Sequence, residues 1–546
     1  MSGPRERTKT RRWLFPMALA SVVPGLLIGA ACDRPQDSNS CAYWTDRLAR
    51  SGEIDVALKQ VGDLKCKEAM PVLQQLFDQD LLIESVLQSV KEIDDPKAAL
   101  PILKAAMLKP QTTRQATTLA LEWKLAEIKP ELVKILSDDK LMLARDLALP
   151  GLLGLDAAKN HEDLLVQLAL ADADKQPVEI NRQAIRELGL LASKKAVPAL
   201  VKAVYLRTVK GQEVFTAARH ALAEVGDASV VTELLSVMAG TNEEINAYAK
   251  AQGLQPWELP ATPKTAQILA DSLDPRVVEP FIADIAAEIV PPTEISDRDF
   301  ARWSADKSNR LKVETFALGH IGSETGLAAL AKILRDGTKD TLRQRINAAN
   351  ALATIGTEAA QDVLISAWKD EILEILRAAL LQIVAMGVDD RRLAAWDEML
   401  GIIPEGKPKP KKPIELSETL KQALEDNERV RTYIEVTRKC MGDVACWIEK
   451  TKSENQDEQV KALLVLGRGR FGVSDAIKEA LWAALENAPK ALVDTKRYAL
   501  MGLTRLGNQA DGARMVKKGI ELAPTDAYWG EELFSFGRGL EKRMLR

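Results

Sequence analysis

Histidine is nearly absent from this sequence, because its 546 residues include only His161, His220 and His320. The three stand far apart in sequence, whereas an enzyme needs a constellation of reactive groups. The sequence also lacks a P-loop, a glycine-rich dinucleotide turn and a G-x-S-x-G nucleophile motif. We therefore predict no catalytic residue, no metal and no cofactor.

Aromatic residues and an excess of positive charge are missing too. Aromatic residues make up 5% of the chain and hydrophobic residues 46%, mostly alanine and leucine, which suits helices packed closely on helices. The net charge is −4, and the first 31 residues contribute +4, so the remainder carries −8. Phosphate binding needs clustered Lys and Arg, so we expect no nucleic-acid partner.

The N-terminal segment has the pattern of an export signal. Residues 1–13 are basic, residues 14–31 are uncharged and largely apolar, and small residues precede Cys32. This order predicts a signal peptide over residues 1–31. A retained membrane anchor is the alternative, although Pro16 and Pro24 interrupt the apolar run.

The segment IGAAC, residues 28–32, resembles a bacterial lipobox, in which the cysteine is lipidated and becomes the new N-terminus. Gly29 departs from the leucine that is usual in that motif. The resemblance implies lipidation of Cys32, a polar tether over residues 32–43, and an exported, membrane-anchored protein of the periplasm or outer membrane. Ordinary signal-peptidase cleavage would instead give a soluble secreted protein.

One six-residue pattern recurs along the chain: small, large apolar, two free positions, large apolar, glycine. Between neighbouring clear or weaker copies the interval is mostly 30–37 residues, which is typical of a solenoid. The clear copies are ALKQVG (57–62), AIRELG (184–189), ALAEVG (221–226), ALGHIG (317–322), ALATIG (351–356), QIVAMG (382–387), ALLVLG (462–467) and GLTRLG (502–507).

Each copy predicts the end of a helix, because its two large apolar residues lie on one helix face and its glycine can adopt the left-handed conformation. A second apolar helix follows, with Pro71, Pro101 or Pro198 near its start. This unit resembles the HEAT repeat, especially its phycobilin-lyase type, over roughly residues 50–400 and 455–525. The resemblance implies an all-α solenoid of about a dozen helix pairs. A tetratricopeptide array is the rival, but its Trp, Gly-Tyr and Ala pattern is absent.

Two segments interrupt the repetition. The interval between clear copies rises to 96 residues across the segment at about 240–312, which predicts an insertion with long loops. The Pro- and Lys-rich residues 404–415 predict a stiff linker. We therefore predict a main solenoid over residues 44–403 and a C-terminal HEAT-like segment over residues 416–546.

The five cysteines are odd in number, and lipidation of Cys32 would leave four. Cys440 and Cys446 flank a Gly-Asp turn, so a disulfide between them is the first interpretation, with free thiols or a metal as alternatives. Cys41 and Cys66 would then join the leading segment to the first repeat.

Four tryptophans are candidates for a partner surface, since tryptophan is enriched at binding hot spots. Trp257 and Trp303 lie in the insertion, and Trp368 and Trp396 lie on or near second helices. The alternative is that they fill space between repeats.

A stack of repeats offers an extended concave groove. We therefore predict a non-catalytic protein-binding scaffold or adaptor, lipid-tethered in the cell envelope, with a protein or peptide partner on its concave face. The alternatives are a soluble secreted scaffold and an enzyme that uses Glu294, Asp297 and Asp299 of the insertion.

Overall fold

The structure, a computed structural model, describes residues 37–50, 53–172, 176–207, 214–288, 290–293, 295–322, 324–336, 341–371, 373–399, 417–489 and 492–545. The predicted signal segment, Cys32 and the linker at 404–415 lie outside these residues. Two compact units divide the chain, unit 1 (residues 1–106) and unit 2 (residues 107–546). The described residues form helices and no strand, which confirms the all-α prediction.

Unit 1 is built from short antiparallel helices, among which α2 packs against α1 and α4, and α3 packs against α4. Its helices are α1 (Cys41–Leu48), α2 (Ile54–Asp63), α3 (Met70–Asp78), α4 (Ile83–Ile93) and α5 (Pro96–Met107), the last of which ends at the boundary between the units.

Unit 2 continues the helix pairs as far as residue 399. Its helices there are α6 (Thr113–Glu122), α7 (Lys129–Ser137), α8 (Arg145–Leu155), α9 (Glu162–Leu170), α10 (Val178–Leu190), α11 (Val197–Val204), α12 (Phe215–Val225), α13 (Ala228–Met238), α14 (Glu243–Ala251), α15 (Glu258–Ala261), α16 (Pro263–Asp271), α17 (Val278–Ala286), α18 (Asp297–Ile321), α19 (Leu327–Asp336), α20 (Leu342–Ile355), α21 (Glu358–Asp370), α22 (Glu374–Gly387) and α23 (Leu393–Met399).

The rest of unit 2 consists of α24 (Glu418–Asp426), α25 (Glu428–Cys440), α26 (Val444–Lys450), α27 (Gln456–Gly467), α28 (Asp475–Asn487), α29 (Val493–Leu506), α30 (Gln509–Leu522) and α31 (Ala527–Leu545). The first helix of each pair packs against the first helix of the next pair, along the series α6, α8, α10, α12, α16, α18, α20 and α22. This nearest-neighbour stacking confirms the predicted solenoid.

The glycine that was predicted to end a helix does so in some repeats and lies within the helix in others. Gly226, Gly322 and Gly356 end α12, α18 and α20 with left-handed φ angles of 54°, 65° and 63°. Gly62 and Gly189 instead lie inside their helices, α2 and α10. The left-handed residue there comes three positions later, so the turn does not depend on glycine at every repeat.

The recurring prolines lie at the predicted helix starts in two repeats and inside the helix in a third. Pro71 and Pro198 lie in the first turns of α3 and α11, each after a short 3-10 turn, where the missing N–H removes no intrahelical hydrogen bond. Pro101 lies inside α5 because that helix begins directly at Pro96.

The segment at about 240–312 corrects the expectation of long inserted loops. It holds α14, α15, α16, α17 and the first part of α18, and the α16–α17 pair continues the solenoid. Buried charges link α17 to α18, since Arg310 Nε of α18 lies 3.0 Å from Asp284 of α17 and 2.9 Å from Glu314 of its own helix.

The C-terminal helices return to the middle of the solenoid. The series continues from α22 through α25, α27 and α29 to α31, and α31 packs against α12 and α16 while α29 packs against α18. From α12 to α31 the first helices therefore form a closed series. The expected open concave groove is corrected here, because the chain's own C-terminal helices lie on this face.

Cationic side chains of the C-terminal helices contact the carbonyl groups at the ends of α20 and α22. Arg505 donates to the carbonyl oxygens of Thr354 and Ile355 at the end of α20, both at 3.1 Å. Arg468 Nη2 donates to the carbonyl oxygens of Ala353 at 2.7 Å and Met386 at 3.2 Å. The last carbonyl groups of a helix have no intrahelical donor and carry partial negative charge. The arginine side chains supply the missing hydrogen-bond donors and a positive charge.

Lys461 makes the same kind of contact with α22. Its buried Nζ donates to the carbonyl oxygens of Ala385 at 2.8 Å and Met386 at 3.1 Å, and to that of Val388. Burial lowers the pKa of Lys461, and the Arg468 charge lowers it further, whereas Asp389 opposes both.

We expect Gly356→Ala to lower the stability of unit 2 more than Gly240→Ala. Both glycines have positive φ, so each substitution costs about 1–2 kcal/mol of backbone strain. The Cβ atom of a side chain at residue 356 would also overlap the Arg468 guanidinium, whereas a Cβ atom at residue 240 would have no neighbouring atom. Urea unfolding followed by circular dichroism measures the difference. Equal losses would show that the Arg468 contact contributes nothing.

Candidate functional site

A cavity of about 690 Å³ lies inside the closed series of helices in unit 2. Side chains of α16, α18, α20, α29 and α31 line most of it. This volume falls within the usual range for ligand pockets. It lies between α16, α18 and α20 and the C-terminal helices α29 and α31.

Helices α18 and α20 supply a polar wall of the cavity. Asn309, Lys312 and Phe316 share one face of α18, and Asn347 and Asn350 share one face of α20, because residues three or four apart align along a helix. Within the described part of the chain none of the three carboxamides makes a hydrogen bond, and the buried Nδ2 of Asn347 has no acceptor.

Helices α29 and α31 supply an aromatic wall of the cavity. Tyr498 comes from α29, and Tyr528, Trp529 and Phe536 come from α31. The Arg497 guanidinium lies 4.6 Å from the centre of the Phe316 ring and 3.0 Å from Asp494, so its charge is already paired.

A buried ion triad closes one end of the cavity. Arg219 on α12 donates to both carboxylate oxygens of Asp271 on α16, at 2.6 and 2.7 Å. It also donates to Glu532 on α31 at 3.0 Å. Burial raises the pKa of Asp271 to about 6, although the Arg219 charge opposes the shift. The triad therefore joins the two ends of the closed series.

His320 lies against the aromatic wall as a neutral ring. Its Nδ1 lies 2.8 Å from the Thr504 hydroxyl, and its ring stacks on Phe536 with 4.3 Å between centroids. Burial, together with the charges of Arg505 and Arg497, lowers the pKa of His320 to about 3.

His220 makes a similar contact, 4.4 Å between its ring centroid and that of Phe534, and burial lowers its pKa to about 4. Two of the three histidines thus pack on α31. The described residues contain no group of three or more His, Cys, Asp or Glu side chains placed to hold a metal ion. The arrangement offers hydrogen bonds and ring contacts to a ligand rather than a nucleophile with a base.

The predicted tryptophans lie outside this cavity. Trp368 and Trp396 are fully buried and Trp303 is 8% exposed, so they fill space between helices, which was the alternative interpretation. Trp257 is half-buried, with the Arg302 guanidinium 5.8 Å from its ring centre. A packed indole cannot anchor a partner on the surface, so the partner role is corrected for the three buried rings.

Trp529, which does line the cavity, was missed by the sequence analysis. Its signal was weak, a run of aromatic residues near the C-terminus without a repeat hexad. Its role depends on the contact between α31 and helices about 300 residues earlier, which no local pattern reports.

Both cysteine pairs lie at disulfide-bonding distance, and the oxidised state stays a prediction. The Sγ atoms of Cys41 and Cys66 are 2.02 Å apart, and those of Cys440 and Cys446 are 2.00 Å apart. The Cα separation is 5.3 Å in each pair, which suits a disulfide.

Two of the acidic residues that the enzyme alternative would use lie at the start of a helix. Asp297 and Asp299 lie in the first turn of α18, where Ser296 accepts a hydrogen bond from the Asp299 backbone N–H. Negative charge there stabilises the start of a helix. Glu294 lies outside the described residues.

Comparisons with known proteins agree with the repeat architecture. The family model described as the PBS lyase HEAT-like repeat matches residues 344–370, which span most of α20 and all of α21. This match and the stacked helix pairs support the HEAT-repeat resemblance. A comparison with curated proteins gives no match.

Among solved structures, the chain is similar to an engineered protein at 16% identity and a TM-score of 0.22, covering 80% of this chain and 98% of that one. It is also similar to the karyopherin Kap121p bound to the SUMO protease Ulp1p, at 12% identity and a TM-score of 0.24. That match covers 93% of this chain and 61% of the karyopherin, so the chain spans less than two thirds of its length. Likeness at this level carries no functional argument.

Among the described residues no helix combines the length and apolarity that a bilayer crossing requires.

We expect acid to destabilise the wild-type protein more than a His320→Asn variant. The pKa of His320 falls from its usual 6.5 to about 3 on folding, so the unfolded chain binds the extra proton between these values. Between pH 7 and pH 5 this costs the wild type about 2 kcal/mol. Asparagine can still contact Thr504 but does not titrate. Denaturant unfolding of both proteins at the two pH values measures the difference; equal losses would contradict a neutral buried His320.

Proposed function

We propose that the protein is a non-catalytic binding scaffold that holds an extended segment of a partner protein in the cavity of unit 2. The observation that carries the proposal is the set of unpaired carboxamides on one wall, Asn309, Asn347 and Asn350. A carboxamide offers a donor and an acceptor, which matches the N–H and C=O of an extended backbone. Asn309 is exposed and Asn350 is half-buried, whereas the Nδ2 of Asn347 is buried. An unpaired buried donor is costly, so a ligand that accepts from Asn347 gains affinity.

The aromatic wall supports the same proposal. Tyr528 is 50% exposed and is of a type enriched at protein-binding hot spots, so its ring offers apolar contact to side chains of the segment, whereas Tyr498 and Trp529 are buried and support the wall from behind. The partner would thus lie inside the closed series of helices rather than along an open groove.

A photo-cross-linking residue at Val313 tests this proposal in cells. Val313 lines the cavity, whereas the control position, Val473, is 62% exposed outside it. We expect discrete protein adducts from position 313 only. Combined Asn347→Leu and Asn350→Leu substitutions should reduce them about tenfold, because each lost hydrogen bond costs about 0.5–1.5 kcal/mol. Adducts that are absent, or unchanged in the double variant, would contradict the proposal.

We also propose that lipid on Cys32 tethers the scaffold to a membrane of the cell envelope. The basic and apolar residues before Cys32 support export, and the two cysteine pairs at bonding distance suit an oxidising compartment. More than one acyl chain is needed for firm anchoring, as in the lipoproteins that the N-terminus resembles.

We expect Cys32→Ser to move the folded protein into the soluble fraction or to leave an unprocessed precursor in the membrane. Fractionation and mass spectrometry of the N-terminus distinguish these results. A Ser variant that is cleaved and partitions as the wild type does would contradict lipid anchoring and favour the soluble secreted scaffold.

A further inference from the structure

We infer that the segment held in the cavity carries an acidic side chain, which pairs with Lys312. This inference rests on the proposed function and deepens it, because it names the class of peptide. It follows from the charges and hydrogen-bond donors that the chain itself leaves unpaired along the cavity wall.

Lys312 is the first of these groups. It lies on the cavity face of α18, is exposed to solvent, and has no anionic partner within the described part of the chain. An ammonium group has three donors and no acceptor, so it pairs with a ligand only through the ligand's oxygen atoms or negative charge.

Asn347 is the second group and points to the same chemistry. Its buried Nδ2 is a donor without an acceptor. The carboxamides offer both donors and acceptors, whereas Lys312 adds donors alone, so the wall formed by α18 and α20 has more donors than acceptors. A ligand that matches this wall is rich in acceptors, as peptide carbonyls and a carboxylate are.

The other charges of the cavity do not compete for this carboxylate. Arg219 already pairs with Asp271 and Glu532, and Arg497 already pairs with Asp494. Asp271 and Glu532 would repel a carboxylate from the end of the cavity that they close. Lys312 is thus the cation at which an acidic side chain is expected.

The aromatic wall completes the chemistry of the segment. Phe316 follows Lys312 by one helical turn on α18 and is half-buried, and Tyr528 of α31, which also lines the cavity, is 50% exposed. An apolar residue next to the acidic one would contact these rings. The partner class is therefore an acidic peptide segment with a neighbouring apolar side chain.

Fluorescein-labelled pentapeptide pools test this inference on the purified full-length protein. Three pools fix glutamate, glutamine or lysine at the centre and phenylalanine beside it, with the remaining positions randomised. Fluorescence anisotropy gives the apparent affinity of each pool for the wild type, Lys312→Glu and Lys517→Glu. Lys517 is an exposed lysine on α30 outside the cavity, so its reversal makes the same change of net charge.

We expect the wild type to prefer the glutamate pool to the lysine pool by about fivefold or more, as for a partly exposed ion pair. Lys312→Glu should reverse the order, while Lys517→Glu should keep it. Free N-acetylglutamate at equal concentration should not displace the pool, because it lacks the backbone that the carboxamides bind.

The contrary outcomes separate the two proposals. If no pool binds, the proposed peptide-binding function fails. If all pools bind alike, or Lys312→Glu and Lys517→Glu have equal effects, the peptide function stands and the acidic specificity is wrong. If N-acetylglutamate displaces the glutamate pool, the ligand is a small carboxylate and the inference is overturned.

Discussion

The contact between cationic side chains and the carbonyl ends of helices determines how unit 2 is built. Helices α20 and α22 end with carbonyl groups that no residue of their own helix satisfies, and Arg468, Arg505 and Lys461 supply the donors. Gly356 at the end of α20 leaves room for the Arg468 guanidinium, and Gly322 at the end of α18 leaves room for that of Arg505. Because the cations belong to the C-terminal helices, satisfying the carbonyls also holds those helices against α20 and α22.

This closure changes where a partner can bind. An open solenoid offers a continuous groove, whereas here α29 and α31 take part of that face and leave a cavity. The cavity keeps the polar residues of α18 and α20 that the C-terminal helices do not satisfy. We propose that Asn347 and Lys312 mark the part of the cavity that binds another molecule.

The sequence predicted the helix pairs correctly but did not predict the contacts between helices that lie far apart in the chain. The spacing of the hexads predicted stacked helix pairs, because apolar positions three residues apart and a closing glycine act within one repeat. The turn glycines Gly226 and Gly356 were predicted, but their neighbours Lys542 and Arg468 were not. Nothing in the local pattern around Arg468 indicates that a helix end in another repeat lies beside it. The helical character of residues 240–312 was missed because α14–α17 carry no clear hexad.

A double-mutant cycle between Arg219 and Glu532 tests closure of the helix series most directly. The two residues lie 313 positions apart in sequence and meet only if α31 packs on α12. Unfolding free energies of the wild type, Arg219→Met, Glu532→Gln and the double variant give their interaction energy. We expect a coupling of about 1–3 kcal/mol, as for residues in one buried network. Effects that add to within about 0.5 kcal/mol would mean that α31 does not lie against α12, and the closed series would be wrong.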